Sequence, residues 1–188
     1  MGKIIKPHGG YRKLRGFQAA QAVYDATVVF CDRFIDRRSR TRDQMVQAAR
    51  SGAQNIAEGS MASATSKKME LKLTGVARAS LEELLLDCED FLRQHGLRRW
   101  PKDSPEALAV RMKYKSDKSD LSDLSDSSDP YGIATATPEA AANTIICLVN
   151  QASYLLGRQL AALERAFLAE GGFSENLYHQ RRRNRERA

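Results

Sequence analysis

Residues 137–172, TPEAAANTIICLVNQASYLLGRQLAALERAFLAEGG, carry one uninterrupted helical period. Thr137 has the chemistry of an N-cap, Pro138 suits the first helical position, and Glu139 complements the positive end of the helix dipole. Ile145, Leu148 or Val149, Ala152, Leu155 or Leu156, Gln159 or Leu160, Leu163 and Phe167 then return to one face, and Gly171-Gly172 ends the run. The segment from Ala140 to Gly157 is free of charge. It holds Asn143, Thr144, Asn150, Gln151 and Ser153, which is the make-up of a buried helix and not of a membrane span.

Three further stretches have the same period. Leu14 to Ile35 places Phe17, Ala20, Val23 or Tyr24, Thr27, Phe30 or Cys31 and Phe34 on one side. Thr41-Arg-Asp-Gln44 has the form of a capping box and opens a second helix. Its narrow stripe is Val46, Ala49, Ala53, Ile56 and Ala57, and Gly59 stands where a helix-ending glycine belongs. A third helix starts near Thr65 or Ser66 and reaches His95-Gly96 through Leu73, Val76 or Ala77, Ser80 or Leu81, Leu84 or Leu85, Cys88, and Phe91 or Leu92. Nothing alternates as a strand for more than four residues. Helices of about 20 to 32 residues span roughly 30 to 48 Å. With single apolar faces they must pack lengthwise, so the expected fold is all-α, an antiparallel four-helix bundle.

The expected organisation is an N-terminal arm (1–13), three bundle helices (14–95), a linker (96–137), the fourth helix (138–170) and a basic tail (171–188). Within the linker, Ser104-Pro105-Glu106 opens a short helix through Lys115. A Ser-Asp repeat with a strict period of three follows, at 116, 119, 122, 125 and 128. That period fits no amphipathic element, so a solvated, partly disordered linker is expected. The repeat has no glycine to fold its carboxylates round a cation, so no metal is expected there.

The 188 residues carry 30 Lys+Arg against 23 Asp+Glu, a net charge of +7. Residues 1–60 alone hold a net +6, and the last eight residues, RRRNRERA, hold +4. The basic centres are therefore the first helical hairpin, with Arg37, Arg38, Arg40 and Arg42, and the tail, with Arg181, Arg182, Arg183, Arg185 and Arg187. Glu82, Glu83, Asp87, Glu89 and Asp90 make an acidic face on the third helix. Three dispersed cysteines argue against a disulfide framework and for a reduced, cytoplasmic protein. The N-terminus lacks the apolar core of a signal peptide, and Lys6 stands where a myristoylation signal needs Ser or Thr.

Bundle chemistries fail on the residues. A di-iron site needs Glu-x-x-His pairs, and the chain has none. A phosphorelay histidine belongs mid-helix, whereas His8 and His179 lie in terminal segments and His95 abuts a glycine. No Arg stands four to six residues before a His in the manner of an all-helical ribonuclease. Cys31, Cys88 and Cys147 sit in apolar stripes as small hydrophobes. No catalytic residue, metal or cofactor is expected.

Asn55-Ile-Ala-Glu58-Gly59, preceded by Gln44, Ala48 and Ser51, resembles the signature of four-helix-bundle proteins encoded by intervening sequences in bacterial 23S ribosomal RNA genes. That family also includes accessory proteins of diversity-generating retroelements. Leu14 to Ala20 is similar to its first-helix pattern, and Ala77-Arg78-Ala-Ser80-Leu-Glu-Glu83-Leu84 to its third. The Ser-Asp linker and Arg tail look like the family's extended branch. Gln47 stands where the family often has Arg. Gly52 replaces a usual apolar residue and is expected to weaken the helix by about 0.5 to 1 kcal/mol. The resemblance implies an up-and-down bundle, a pentameric homo-oligomer, no enzymatic activity and a basic surface suited to nucleic acid. Gln44, Ser51, Asn55, Glu58, Gly59, Arg78, Ser80 and Glu83 are its motif positions.

The resulting expectation is a non-enzymatic homo-oligomer that binds RNA or DNA through phosphates, using the nine arginines of hairpin and tail. The alternative is a protein-interaction scaffold, for example an accessory subunit of a reverse transcriptase.

Overall fold

The computed structural model describes residues 8–116 and 129–186. The Ser-Asp repeat over 117–128, Arg187 and most of the N-terminal arm lie outside the described residues. The regular structure among them is all helical. A short 3-10 turn, Tyr11–Lys13, precedes α1 (Arg15–Phe34), α2 (Arg40–Ala62), α3 (Lys67–Gln94), α4 (Pro105–Ser116), α5 (Pro138–Glu170) and α6 (Phe173–Arg185).

Named contacts give the directions. Asp32 near the end of α1 meets Arg42 at the start of α2. Gly52 and Gly59 of α2 face Leu81 and Glu70 of α3. Gly157 of α5 faces Arg78 of α3, and Gly16 of α1 faces Leu156 and Gln159 of α5. The two contacts along α2 and α3 fall in opposite order, so this pair runs antiparallel. Between the four long helices lie Val23, Phe30, Met45, Ile56, Leu81, Leu84, Leu92, Ile145, Val149 and Leu156, all buried. Each such side chain contributes about 1.5 to 3 kcal/mol on leaving water. Phe30 adds an edge-on contact with Phe91, with centroids 5.0 Å apart.

Most helix ends follow their local chemistry. Ser66 caps α3 by accepting from the Met69 amide at 3.1 Å, and Thr137 caps α5 by accepting from Ala140 at 3.2 Å. Gly171, at φ 70°, ends α5. Two expectations about α2 are corrected. Its cap is Ser39, whose hydroxyl accepts from the Thr41 amide, so Thr41 lies within the helix and Gln44 is released from the capping box. Gly59 does not end the helix, which continues to Ala62. A Cβ at Gly59 would stand 3.3 Å from the Glu70 carbonyl oxygen and from Leu73 Cβ, so this glycine serves the approach of α3.

α4 lies against α5, fastened through the connection that precedes it. The Trp100 amide donates to Asn143 Oδ1 at 2.7 Å, and Asn143 Nδ2 donates to the Arg98 carbonyl at 2.9 Å. This accounts for Asn143, a polar side chain buried in mid-core, because both ends of its amide are paired. Arg33 at the end of α1 donates to the carbonyls of Ile133 and Ala136 and closes the same end of the molecule. The buried part of α5 stops at Leu156; over 157–170 no residue is buried. Those 14 residues extend about 21 Å past the core. Leu168 on this overhang is 77% exposed.

Candidate nucleic-acid interface

The turn between α1 and α2 is short, so its charged side chains cannot disperse. Arg37, Arg38 and Arg40 are exposed. Asp36 is spent on the turn itself, its carboxylate accepting from the Arg38 amide at 2.8 Å. Among the described residues no carboxylate pairs with the three guanidinium groups. Arg42 differs. Its Nη2 meets Asp32 Oδ1 at 2.5 Å, which holds its pKa above the ordinary arginine value. It is a clamp between α1 and α2 and not a free cation.

The tail arginines lie on α6, a helix the sequence reading did not anticipate. Glu175 accepts from the Gly172 amide at 2.8 Å and Asn176 Nδ2 donates to the Glu170 carbonyl at 3.0 Å, which fixes the corner from α5. Arg181, Arg182, Arg183 and Arg185 are exposed, and no residue of α6 is buried. Arg182 pairs with Glu186 at 2.9 Å, one turn on. Arg181 and Arg185, four apart, share a face.

The two basic centres occupy opposite ends of the molecule. The turn follows the C-terminus of α1, whereas α6 follows the overhanging end of α5, beyond the N-terminus of α1. α1 rises about 30 Å between them.

The motif residues separate into two groups. Gln44, Ser51, Ser80 and Glu83 line one open groove of about 420 Å³ between α2 and α3, with Arg40 and Gln47 at its rim. Gln47 Nε2 donates to the Ser51 hydroxyl at 3.2 Å. Asn55 turns back on its own helix, donating to the Ser51 carbonyl at 2.9 Å, and Glu58 is exposed. Arg78 points toward Gly157 of α5 and is not part of the groove.

On the acidic face, Glu82, Glu83 and Asp90 are exposed, and Glu89 is taken up by Arg99 at 2.6 Å. Asp87 is half-buried, and burial first, then Glu83 and Asp90, raise its pKa. Cys31 and Cys88 are buried; the Cys31 thiol is pushed up to about 12 and Cys88 is raised as well, chiefly by desolvation. Neither is a nucleophile at neutral pH. Among the described residues no three His, Cys, Asp or Glu side chains converge as metal ligands, and no helix is long and apolar enough to cross a membrane.

A second concavity had no signal in the sequence. It measures about 610 Å³ and lies between the 97–104 connection, α4 and α5. Trp100 and Tyr154 contribute aromatic rings, and Lys102 and Arg111 contribute charge. Trp100 and Asn143, which fix its floor, are 43 residues apart, so no local pattern could reveal it.

No family model, curated protein or solved structure matches this chain. The functional reading therefore rests on the residues and their geometry.

Proposed function

We propose that the chain is a non-enzymatic up-and-down four-helix bundle that assembles into a homo-oligomer and binds RNA or DNA through backbone phosphates. The observation that carries this reading is the cluster of Arg37, Arg38 and Arg40 on one tight turn, exposed and without carboxylate partners among the described residues. Guanidinium groups are costly to crowd together, and their planar forks match phosphate oxygens. Arg181, Arg183 and Arg185 on α6 form a second phosphate-tracking element. The motif groove between α2 and α3 and the resemblance to intervening-sequence and retroelement accessory proteins point the same way, and pentamers are the form that the resemblance implies. A ring of copies multiplies modest monomer charge through effective concentration.

The test is a salt series of gel shifts on RNA and on DNA, preceded by light scattering on the eluted protein. The logarithm of affinity should fall linearly with the logarithm of salt, without sequence preference. Replacing Arg37, Arg38 and Arg40 with Gln should reduce the slope by about three phosphates' worth, and deleting 181–188 should reduce it further. Affinity unchanged by both would remove the reading.

The overhang of α5 favours a second reading, in which the chain is a scaffold for another protein. Leu160, Leu163 and Phe167 lie there only half-buried, beside exposed Leu168. Binding through such a face depends weakly on salt, which separates it from phosphate binding.

A further inference from the structure

The concavity between α4, α5 and the 97–104 connection combines three features that the packing of the helices does not need. The first is an unspent guanidinium. Arg111 Nε donates to the Ala107 carbonyl at 3.4 Å, while its Nη2 is buried without a hydrogen-bond partner among the described residues. A buried charged donor left unmet costs far more than an exposed one, so it is kept where an acceptor is to arrive. The second is the sign of the walls. Lys102 and Arg111 carry charge without an ion-pair partner among the described residues, Arg99 is already paired with Glu89, and no carboxylate of the described residues lines the space. The third is the pair of rings. Trp100 is anchored by its amide to Asn143 and by its indole N–H to Glu139 Oε1 at 3.3 Å, so its ring is fixed. Tyr154 is 61% exposed on α5, away from the core. Gln151 adds an amide able to read the edge of a planar ring, and Asn150, whose Nδ2 donates to the Ile146 carbonyl at 2.8 Å, adds an amide oxygen.

We propose that this concavity is a binding site for a single phosphorylated nucleoside, with the phosphate on Arg111 and Lys102 and the base against Trp100 and Tyr154. About 610 Å³ lies within the range of small-molecule sites and accommodates one nucleotide. A base stacked on an aromatic ring and a phosphate on an arginine are the two interactions by which proteins hold a nucleotide without helical pairing. The site shares no residue with the α1–α2 turn or with α6, so it stands or falls independently of the backbone-phosphate reading. The ligand is either a free mononucleotide or the 5′-phosphorylated end of a strand, since both present the same group.

Cys147 supplies the readout. It is half-buried in the wall of the concavity, where burial raises its thiol pKa and the neighbouring Arg111 lowers it in part. The full chain is treated with iodoacetamide, and alkylation of Cys147 is followed by peptide mass spectrometry, with buried Cys31 and Cys88 as internal controls. AMP, ATP, adenosine, inorganic phosphate and an eight-nucleotide RNA with either a 5′-phosphate or a 5′-hydroxyl are added in separate arms. Protection of Cys147 by tenfold or more with AMP or ATP supports a free-nucleotide site. Protection only by the 5′-phosphorylated RNA supports a strand-end site. Arg111→Gln and, because Arg111 is partly packed, the exposed Tyr154→Ala should each raise the half-saturating concentration at least fivefold. The gel-shift affinity of long RNA for the α1–α2 turn should stay within twofold in the Tyr154→Ala protein. Protection by none of the nucleotides, equal protection by adenosine and inorganic phosphate alone, or unchanged half-saturation in Tyr154→Ala would overturn the proposal.

Discussion

Gly52 of α2 lies so close to Leu81 of α3 that a Cβ added to it would stand 2.6 Å from Leu81 Cδ2 and 2.8 Å from Cγ. Leu81 is fully buried and has nowhere to move. The apparent weakness of a glycine in mid-helix is therefore the condition for the close approach of α2 to Leu81 of α3.

Gly52→Ala consequently tests packing against propensity. Alanine favours the helix by about 1 kcal/mol. Overpacking a filled core costs about 1 to 3 kcal/mol. The expected outcome is a net loss of about 1 kcal/mol in urea unfolding, and in a Leu81→Ala background the same change should cost nothing or stabilise, as a double-mutant cycle would show.

Arg42 and Asp32 make a prediction opposite to the one their sequence neighbours invite. Because Arg42 is held by Asp32, Arg42→Gln should leave the salt slope of nucleic-acid binding almost unchanged. Arg38→Gln should lower it by about one. Asp32→Asn releases a cation beside the cluster and should strengthen binding at low salt. Titrations at several salt concentrations distinguish the three.

Glu70 is 7% exposed in the first turn of α3, with Lys67 as its partner at 3.5 Å. Burial raises its pKa above the ordinary glutamate value, and Lys67 offsets this only in part. A raised folded-state pKa means the unfolded chain gives up this proton more readily, so the contribution favours the fold below the ordinary carboxylate range and is lost as pH rises through the folded value. Asp25 and Asp87 act in the same direction. Glu70→Gln should raise Tm at pH 7, and its advantage over the parent should shrink at pH 4 in paired thermal melts.

The thiols should react in two classes. With Cys31 and Cys88 buried and their pKa values raised, a thiol reagent at pH 8 should modify Cys147 first, and the other two only on unfolding. Three thiols reacting at one rate in the native protein would contradict the packing of α1 against α3.

What the sequence made legible is what local chemistry determines. The N-caps Ser66 and Thr137, the stop at Gly171 and the apolar stripes of α1, α3 and α5 needed no knowledge of distant residues. Ser39 and Thr41 offered two similar caps two residues apart, and the chain used the earlier one. Gly59 read as a stop because a missing side chain looks the same whether it frees the backbone or makes room for Glu70. α6 escaped notice because it has no apolar stripe and its like charges repel. At the candidate site, exposure of the arginines was legible, whereas the capture of Arg42 by Asp32, ten residues upstream, required the turn to fold.

The opposite placement of the two arginine clusters has a geometric consequence. The length of α1, about 30 Å, lies between them, and the overhang of α5 lies beyond it. On the proposed function, a short duplex would touch one pole of a single copy, and a strand long enough to pass both would be gripped at both. The free pole of a half-occupied copy remains available to a second strand. If phosphates are held at both poles as proposed, the molecule is a cross-linker, and at protein concentrations that match the strands it would gather separate nucleic acids into one particle.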